Sequence, residues 1–206
     1  MKKNKVRDVK AQNNKAIIEF IKKVSQKYDP DPDHGKQVAQ LALTIFDELR
    51  GVHGYGTGER QLLEIASRLH DIGWSRVVAG KHHKQSRDMI MRLDIPGLND
   101  QRRLLCALIA RYHTKALPDA AKHRRFAGLD VAQRKLVEWL AGILRVADGL
   151  DCRHNDLIKQ LQCKVGGKIV RIHLQSSGNC QREIERACAK QELLLKKLER
   201  TIEYRC

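Results

Sequence analysis

Aromatic residues make up only 4% of this 206-residue chain, and no stretch of about 18 consecutive apolar residues occurs, so no membrane-spanning helix is expected. The basic N-terminus has no apolar h-region, which argues against a signal peptide and makes the cytoplasm the expected compartment. Six cysteines, at 106, 152, 163, 180, 188 and 206, never form a C-x-x-C pair. Neither a zinc ribbon nor a disulfide framework is therefore indicated, and reduced thiols are expected. A glycine-rich phosphate loop is missing too, which leaves P-loop or kinase chemistry unsupported. Acidic residues are few against basic ones, 24 to 40, for a formal charge of +16. Such an excess suits polyanionic partners, nucleotides, polyphosphate or nucleic acid, and is equally compatible with a solvated basic surface.

The apolar content is mainly aliphatic, and the length allows one substantial core with a small appendage. A basic tail, Met1 to Lys5, precedes a stripe at Ile17, Phe20, Ile21, Val24 and Tyr28, which predicts a packing helix. Pro30 to Asp33 ends it, and Asp33 is placed to cap the next helix. The chain is organised around LLEIASRLHDIG, Leu62 to Gly73. Leu62, Ile65, Ala66 and Leu69 recur at helical spacing, and His70 continues their stripe where Ile72-Gly73 ends the helix. A polar group on a core-facing stripe needs a partner, because an unpaired one costs several kcal/mol.

The same anomaly recurs on other segments. His34 extends backward the stripe of Val38, Leu41, Ala42, Ile45 and Leu49. His82 is in phase with Met89 and Leu93, although periodicity alone leaves His82 and His83 both open. Leu105, Ile109 and His113 run at four-residue intervals, as do Leu140, Leu144 and Asp148. Residues four apart share a helix face. Each helix thus ends its apolar stripe in a potential ligand, and gathered imidazoles and carboxylates suit one or two divalent ions. His53, in the glycine-rich loop Gly51 to Gly58, lies off any stripe and is left out of the site.

The ordered set His34, His70-Asp71, His82, His113, Asp148 resembles the HD-domain superfamily of metal-dependent phosphohydrolases. More narrowly it resembles the C-terminal HD region of the exopolyphosphatase and guanosine pentaphosphate phosphohydrolase family. The carrying stretches are Tyr28 to Leu49, LHDIG (Leu69 to Gly73), HHKQS (His82 to Ser86), RYHTKALP (Arg111 to Pro118) and ILRVADGLD (Ile143 to Asp151). Gln85 stands where that family usually has histidine. The family's chains also carry two actin-like ATPase-type domains that this sequence does not contain and to which phosphate-chain hydrolysis belongs, so the scaffold and metal site are what the resemblance implies.

Beyond Gln160 the period changes. Leu161, Cys163 and Val165 alternate with polar residues, Gly166-Gly167 supplies a turn, and Val170, Ile172 and Leu174 alternate again, predicting a hairpin. A helix over Gln181 to Arg200 and a last strand through Ile202, Tyr204 and Cys206 complete a β-β-α-β unit. The expected architecture is mainly α: an HD-type helical bundle, 1–156, followed by a small α+β unit, 157–206, suited to packing, partner binding or dimerisation.

By the resemblance, Asp71 bridges, with His34, His70 and Asp148 completing one ion and His82 and His113 a second; Mn, Fe, Zn, Ni or Mg would serve. Asp71, His70 and Lys84 are the candidate catalytic residues, and Lys84, Lys115 and Arg145 the candidate phosphate clamps. Lys115, Lys122, Arg124 and Arg125 make the stretch Thr114 to Leu129 basic, with His123 expected to be exposed. The expected function is hydrolysis of a phosphomonoester or phosphodiester of a nucleotide-like or polyphosphate anion. The rival is a non-catalytic sensor of such an anion on the same scaffold. A nucleic-acid partner and a homodimer stay open.

Overall fold

A computed structural model describes residues 2–76 and 80–206, with side chains from residue 14. Its first element, α1 (Lys2–Tyr28), has no proline or glycine to interrupt it and is helical from Lys2, so the expected basic tail continues the helix. It buries Ile17, Ile21 and Val24. Helix α2 (Pro32–Glu48) starts with proline in its first turn, where a missing N–H costs nothing. The cap is consequently Asp31 rather than Asp33: the His34 amide donates to the Asp31 carboxylate at 3.3 Å. A single turn, α3 (Arg50–His53), occupies part of the expected loop, and the His53 ring bonds the Phe46 carbonyl there.

Next comes α4 (Thr57–Leu69), whose Leu62, Leu63, Ile65, Ala66 and Leu69 are all buried. Immediately after His70-Asp71 the chain tightens into a 3-10 turn, Ile72–Arg76. The loop expected from Ser75 to Lys81 includes 77–79, outside the described residues. Helix α5 (His82–Ile90) lies on that turn, with the Gly73 amide donating to Ser86 Oγ at 2.9 Å. Then follow α6 (Asp100–Arg111), capped by Asn99, and the short α7 (Arg124–Ala127). Helix α8 (Val131–Gly149) opens with a capping box between Asp130 and Gln133 and is buried from Leu140 through Gly149. It is the central helix, packed by α2, α4 and α6.

The C-terminal unit is a three-stranded sheet and two helices. Strands β1 (Ile158–Val165) and β2 (Ile169–Ser176) are antiparallel, and β3 (Thr201–Arg205) runs parallel to β2. A parallel neighbour needs a crossover, supplied by α9 (Gln181–Lys190) and α10 (Glu192–Leu198). These differ from the single helix expected: the chain breaks at Gln191, where the Lys190 carbonyl accepts from Arg145 Nε at 3.1 Å. The hairpin closes one residue later than expected, with the Gly166 amide bonded to the Ile169 carbonyl across Gly167-Lys168. Val165, at that exposed end, is 43% accessible instead of inward.

One hydrophobic cluster runs through both parts, joining Leu140 and Leu144 of α8 to Leu194 of α10 and to Ile158, Val170 and Ile172 of the sheet. Cys180 and Cys206 form a disulfide, correcting the expectation of six free thiols; Cys106, Cys152, Cys163 and Cys188 remain free. A local C-x-x-C test is blind to partners 26 residues apart.

Candidate metal centre

Five elements deliver six side chains to one point. His34 sits in the first turn of α2, His70-Asp71 directly after α4, His82 at the start of α5, His113 just past α6 and Asp148 in the last turn of α8. All six are at most 9% exposed. The two Asp71 oxygens face different neighbours: Oδ2 lies 3.6 Å from His70 Nε2, and Oδ1 lies 3.3 Å from His82 Nε2 and 3.5 Å from His113 Nε2. Asp148 Oδ1 is 3.5 Å from His34 Nε2 and 4.0 Å from His70 Nε2.

The opposite ring nitrogens are held by other groups. His70 Nδ1 bonds the Ser67 carbonyl at 2.6 Å, His113 Nδ1 the Ala110 carbonyl at 2.7 Å, and His34 Nδ1 the Asp151 carboxylate at 2.7 Å. A carbonyl can only accept, so it fixes the proton on Nδ1 and turns the Nε2 lone pair inward. At His113 and His82 the two Nε2 atoms are 3.1 Å apart, a separation that needs a shared proton or a cation between them.

Burial makes this arrangement costly without a positive partner. Desolvation pushes the His113 imidazole down to about 3, aided by His70. Burial also lowers His82, against the attraction of Asp71. For Asp71, burial opposes ionisation, but His70 and His113 hold the carboxyl below its usual range. Asp148 is held far below it, burial notwithstanding, chiefly by the Lys190 ammonium and then by His34. His34 goes the other way: burial disfavours its cation, yet the facing Asp148 and Asp151 carboxylates raise it to about 10.

Does the donor set fit a divalent ion? His34 Nε2, His70 Nε2 and Asp71 Oδ1 are buried with no hydrogen-bond partner. Two triplets, His34-His70-Asp148 and His70-Asp71-His113, bring ligand atoms within 4.8 Å of one another. Orphaned lone pairs converging in a dry site, all imidazole nitrogen or carboxylate oxygen, fit such an ion.

The other candidates lie around this cluster in different settings. His83 is buried next to it, but burial and the nearby Arg111 charge depress it to about 4, and its Nδ1 has no partner. Lys84 and Lys115 are exposed. Arg145, expected to brace Asp148 or to reach a phosphate, lies close enough to Asp148 to feel its charge, and its guanidinium donates to the carbonyls of Lys190 and of Tyr112. His123 is half-buried rather than exposed, its Nδ1 3.0 Å from the Tyr112 hydroxyl. Two groups escaped the sequence reading. Asp151 lies in the quoted motif, one turn past Asp148, and that spacing was a usable signal. Lys190, whose ammonium contacts Asp148 Oδ2, arrives from α9 and carried none.

A helical bundle with a buried histidine-aspartate cluster and a small mixed tail defines the class. The Ppx/GppA phosphatase, domain III, family model matches residues 18–200, and the chain belongs to that family. It is 28% identical over 109 residues to a guanosine-5'-triphosphate,3'-diphosphate pyrophosphatase of Vibrio vulnificus (strain YJ016), covering 52% of this chain and 22% of the relative. The chain thus matches less than a quarter of that relative's length.

Proposed function

We propose that the chain is a metal-dependent phosphohydrolase of the HD type, acting on a phosphoester or phosphoanhydride of a nucleotide-like or polyphosphate anion. The observation that carries the reading is the convergence of His34, His70, Asp71, His82, His113 and Asp148, with unpartnered Nε2 and Oδ1 atoms directed inward. Family membership and the printed name of the Vibrio relative support the substrate class. Residues 1–156 form the metal-binding unit and 157–206 the appended unit in this reading.

His34, His70, Asp71 and Asp148 would hold one ion, and Asp71, His82 and His113 a second, with the divided orientation of the Asp71 oxygens supporting its bridging role. Bound there, a divalent ion such as Mn, Fe, Zn, Ni or Mg supplies Lewis-acid polarisation of a phosphoryl oxygen and acidifies a water. The Nδ1 bonds to Ser67, Ala110 and Asp151 orient the imidazoles with Nε2 turned inward. Lys84, exposed two residues beyond His82, and Lys115 are the phosphate clamps; Arg145 braces the backbone.

The second reading, a sensor that binds the anion without turnover, has its own observation: the Lys190 ammonium already sits on Asp148. Metal analysis of the purified protein, then a hydrolysis panel with nucleotides, polyphosphate and a generic phosphodiester, decides between them. Turnover that disappears together with bound metal in Asp71→Ala is the expected result. Hydrolysis retained by that variant sinks the metal mechanism, and binding without turnover by the wild type selects the sensor.

A further inference from the structure

The Cys180–Cys206 disulfide joins residues 26 apart and so closes a covalent ring that contains α9, α10 and β3. Its two sulfurs sit in different settings. Cys180 is 1% exposed, while Cys206, one residue past β3, lies on the surface. An attacking thiolate therefore has access to the Cys206 sulfur alone. Cys180 stands at the N-cap of the ten-residue α9, where the helix dipole favours a departing thiolate. The Glu183 carboxylate of that first turn is neutralised by Arg153 and does not oppose this. A stabilised leaving group speeds thiol–disulfide exchange.

The same ring carries Lys190. It is the last residue of α9, and its ammonium rests on Asp148. At the junction between α9 and α10, the Gln191 side-chain oxygen is buried with no hydrogen-bond partner. An unsatisfied buried carbonyl is a local cost, so the junction beside Lys190 is the part of the ring readiest to yield when the tie is cut. Strand β3 offers little to replace that tie. It has five residues and bonds to β2 along one edge only, at the end of the sheet.

We infer that Cys180–Cys206 is a thiol–disulfide exchange site, opened by a small dithiol, whose closed state keeps Lys190 seated on Asp148 and so limits ion uptake by the cluster. The effect on ion uptake rests on the metal reading above; the exchange itself does not. One thiolate of the dithiol attacks Cys206 Sγ, forming a mixed disulfide as the bond to Cys180 breaks and its electron pair leaves on Cys180 Sγ. The second thiolate then attacks the reductant's own sulfur in that mixed disulfide and expels Cys206 as a thiolate. Each cysteine ends with one proton, and the dithiol, having given up two electrons and two protons, is left as a cyclic disulfide. With the ring open, α9 and α10 regain freedom that the closed loop had removed, and the contact of Lys190 with Asp148 loses its tether.

Hydrogen exchange and thiol alkylation of the full chain, oxidised and after treatment with dithiothreitol, test the latch without any metal. Reduction is expected to open Cys206 to alkylation, with the exposed Cys188 alkylated in both states. It should also speed exchange of the α9 amides near Lys190 roughly tenfold, as for a locally loosened element. Manganese(II) affinity, measured by calorimetry after anaerobic removal of the dithiol, should rise about threefold, the scale of a partly exposed ion pair. Cys206→Ser should match the reduced protein; should it fail to fold, the reduced wild type carries the same readouts. Lys190→Met should bind manganese alike in both redox states. Cys206 still open to alkylation after incubation with oxidised glutathione, α9 exchange unchanged by reduction, wild-type manganese affinity equal in the two states, or an equal redox effect in Lys190→Met would each overturn the inference. Where no form takes up manganese, the proposed metal function fails, while faster α9 exchange on reduction still upholds the latch.

Discussion

Lys190 shows how one side chain can set the occupancy of a site it does not belong to by sequence. Its ammonium contacts Asp148 Oδ2 while Asp148 Oδ1 faces His34 and His70. A fixed positive charge beside a proposed cation site both neutralises a donor and repels the incoming ion. Lys190→Met should therefore raise divalent-ion affinity several-fold, roughly the effect of removing one partly buried charge, as read by competition with a chromophoric chelator. Unchanged or weaker affinity would mean that Lys190 orders Asp148 more than it blocks it. His34 is the complementary case, since the same two carboxylates that would help it hold an ion raise its proton affinity. Metal and proton compete for that imidazole.

Among the elements, the contact between the 3-10 turn and α5 positions half of the cluster. A Cβ on Gly73 would strike the His82 carbonyl and the Ser86 amide and hydroxyl. Only glycine permits this approach, and the approach sets His82 against Asp71. Gly73→Ala should cost about 3 kcal/mol of stability, at the upper end of overpacking, and should lower metal content even where the variant stays folded. Chemical denaturation alongside metal analysis checks both. Wild-type metal content in a destabilised but folded Gly73→Ala protein would show that the turn and α5 can separate without disturbing the ligands. Capping at this scale is local: Asp31, Asn99 and Asp130 each accept from an amide of the helix they start, which explains why helix starts were readable to within a residue or two.

Across the whole molecule, the bundle and the C-terminal unit are joined by polar as well as apolar contacts. Arg153, just past α8, donates from Nε and Nη2 to the Glu183 carboxylate of α9, each at 2.6 Å, and Glu183 is fully buried. The Arg153 bonds depress the Glu183 pKa, with burial opposing. A depressed carboxyl stabilises the fold above its unfolded value, near 4.5, and loses that contribution as pH falls through the lower folded value. Glu183→Gln should accordingly be less stable than the wild type at pH 7, and the gap should close on acidification below about 4.5. Thermal unfolding across that range measures it; a gap that persists at low pH would mean the seam depends on shape rather than on charge.

The mainly helical class, the hairpin, the order of the helices and the convergence of His34, His70, Asp71, His82, His113 and Asp148 were legible in the sequence. Periodicity fixes which face of a helix is apolar, and a polar residue on that face has to be satisfied inside. The sequence could not decide between His82 and His83, adjacent on one helix turn. Their separation depends on how the 3-10 turn seats α5. Nor could it reveal the Lys190 contact, the Arg145 bonds to carbonyls or the Cys180–Cys206 disulfide. Each of these joins segments far apart in the chain, and no local pattern encodes such a meeting. Sequence determined which groups had to be buried and where along each helix; tertiary packing alone decided which partner each would find, because partner choice depends on distances set by several elements at once.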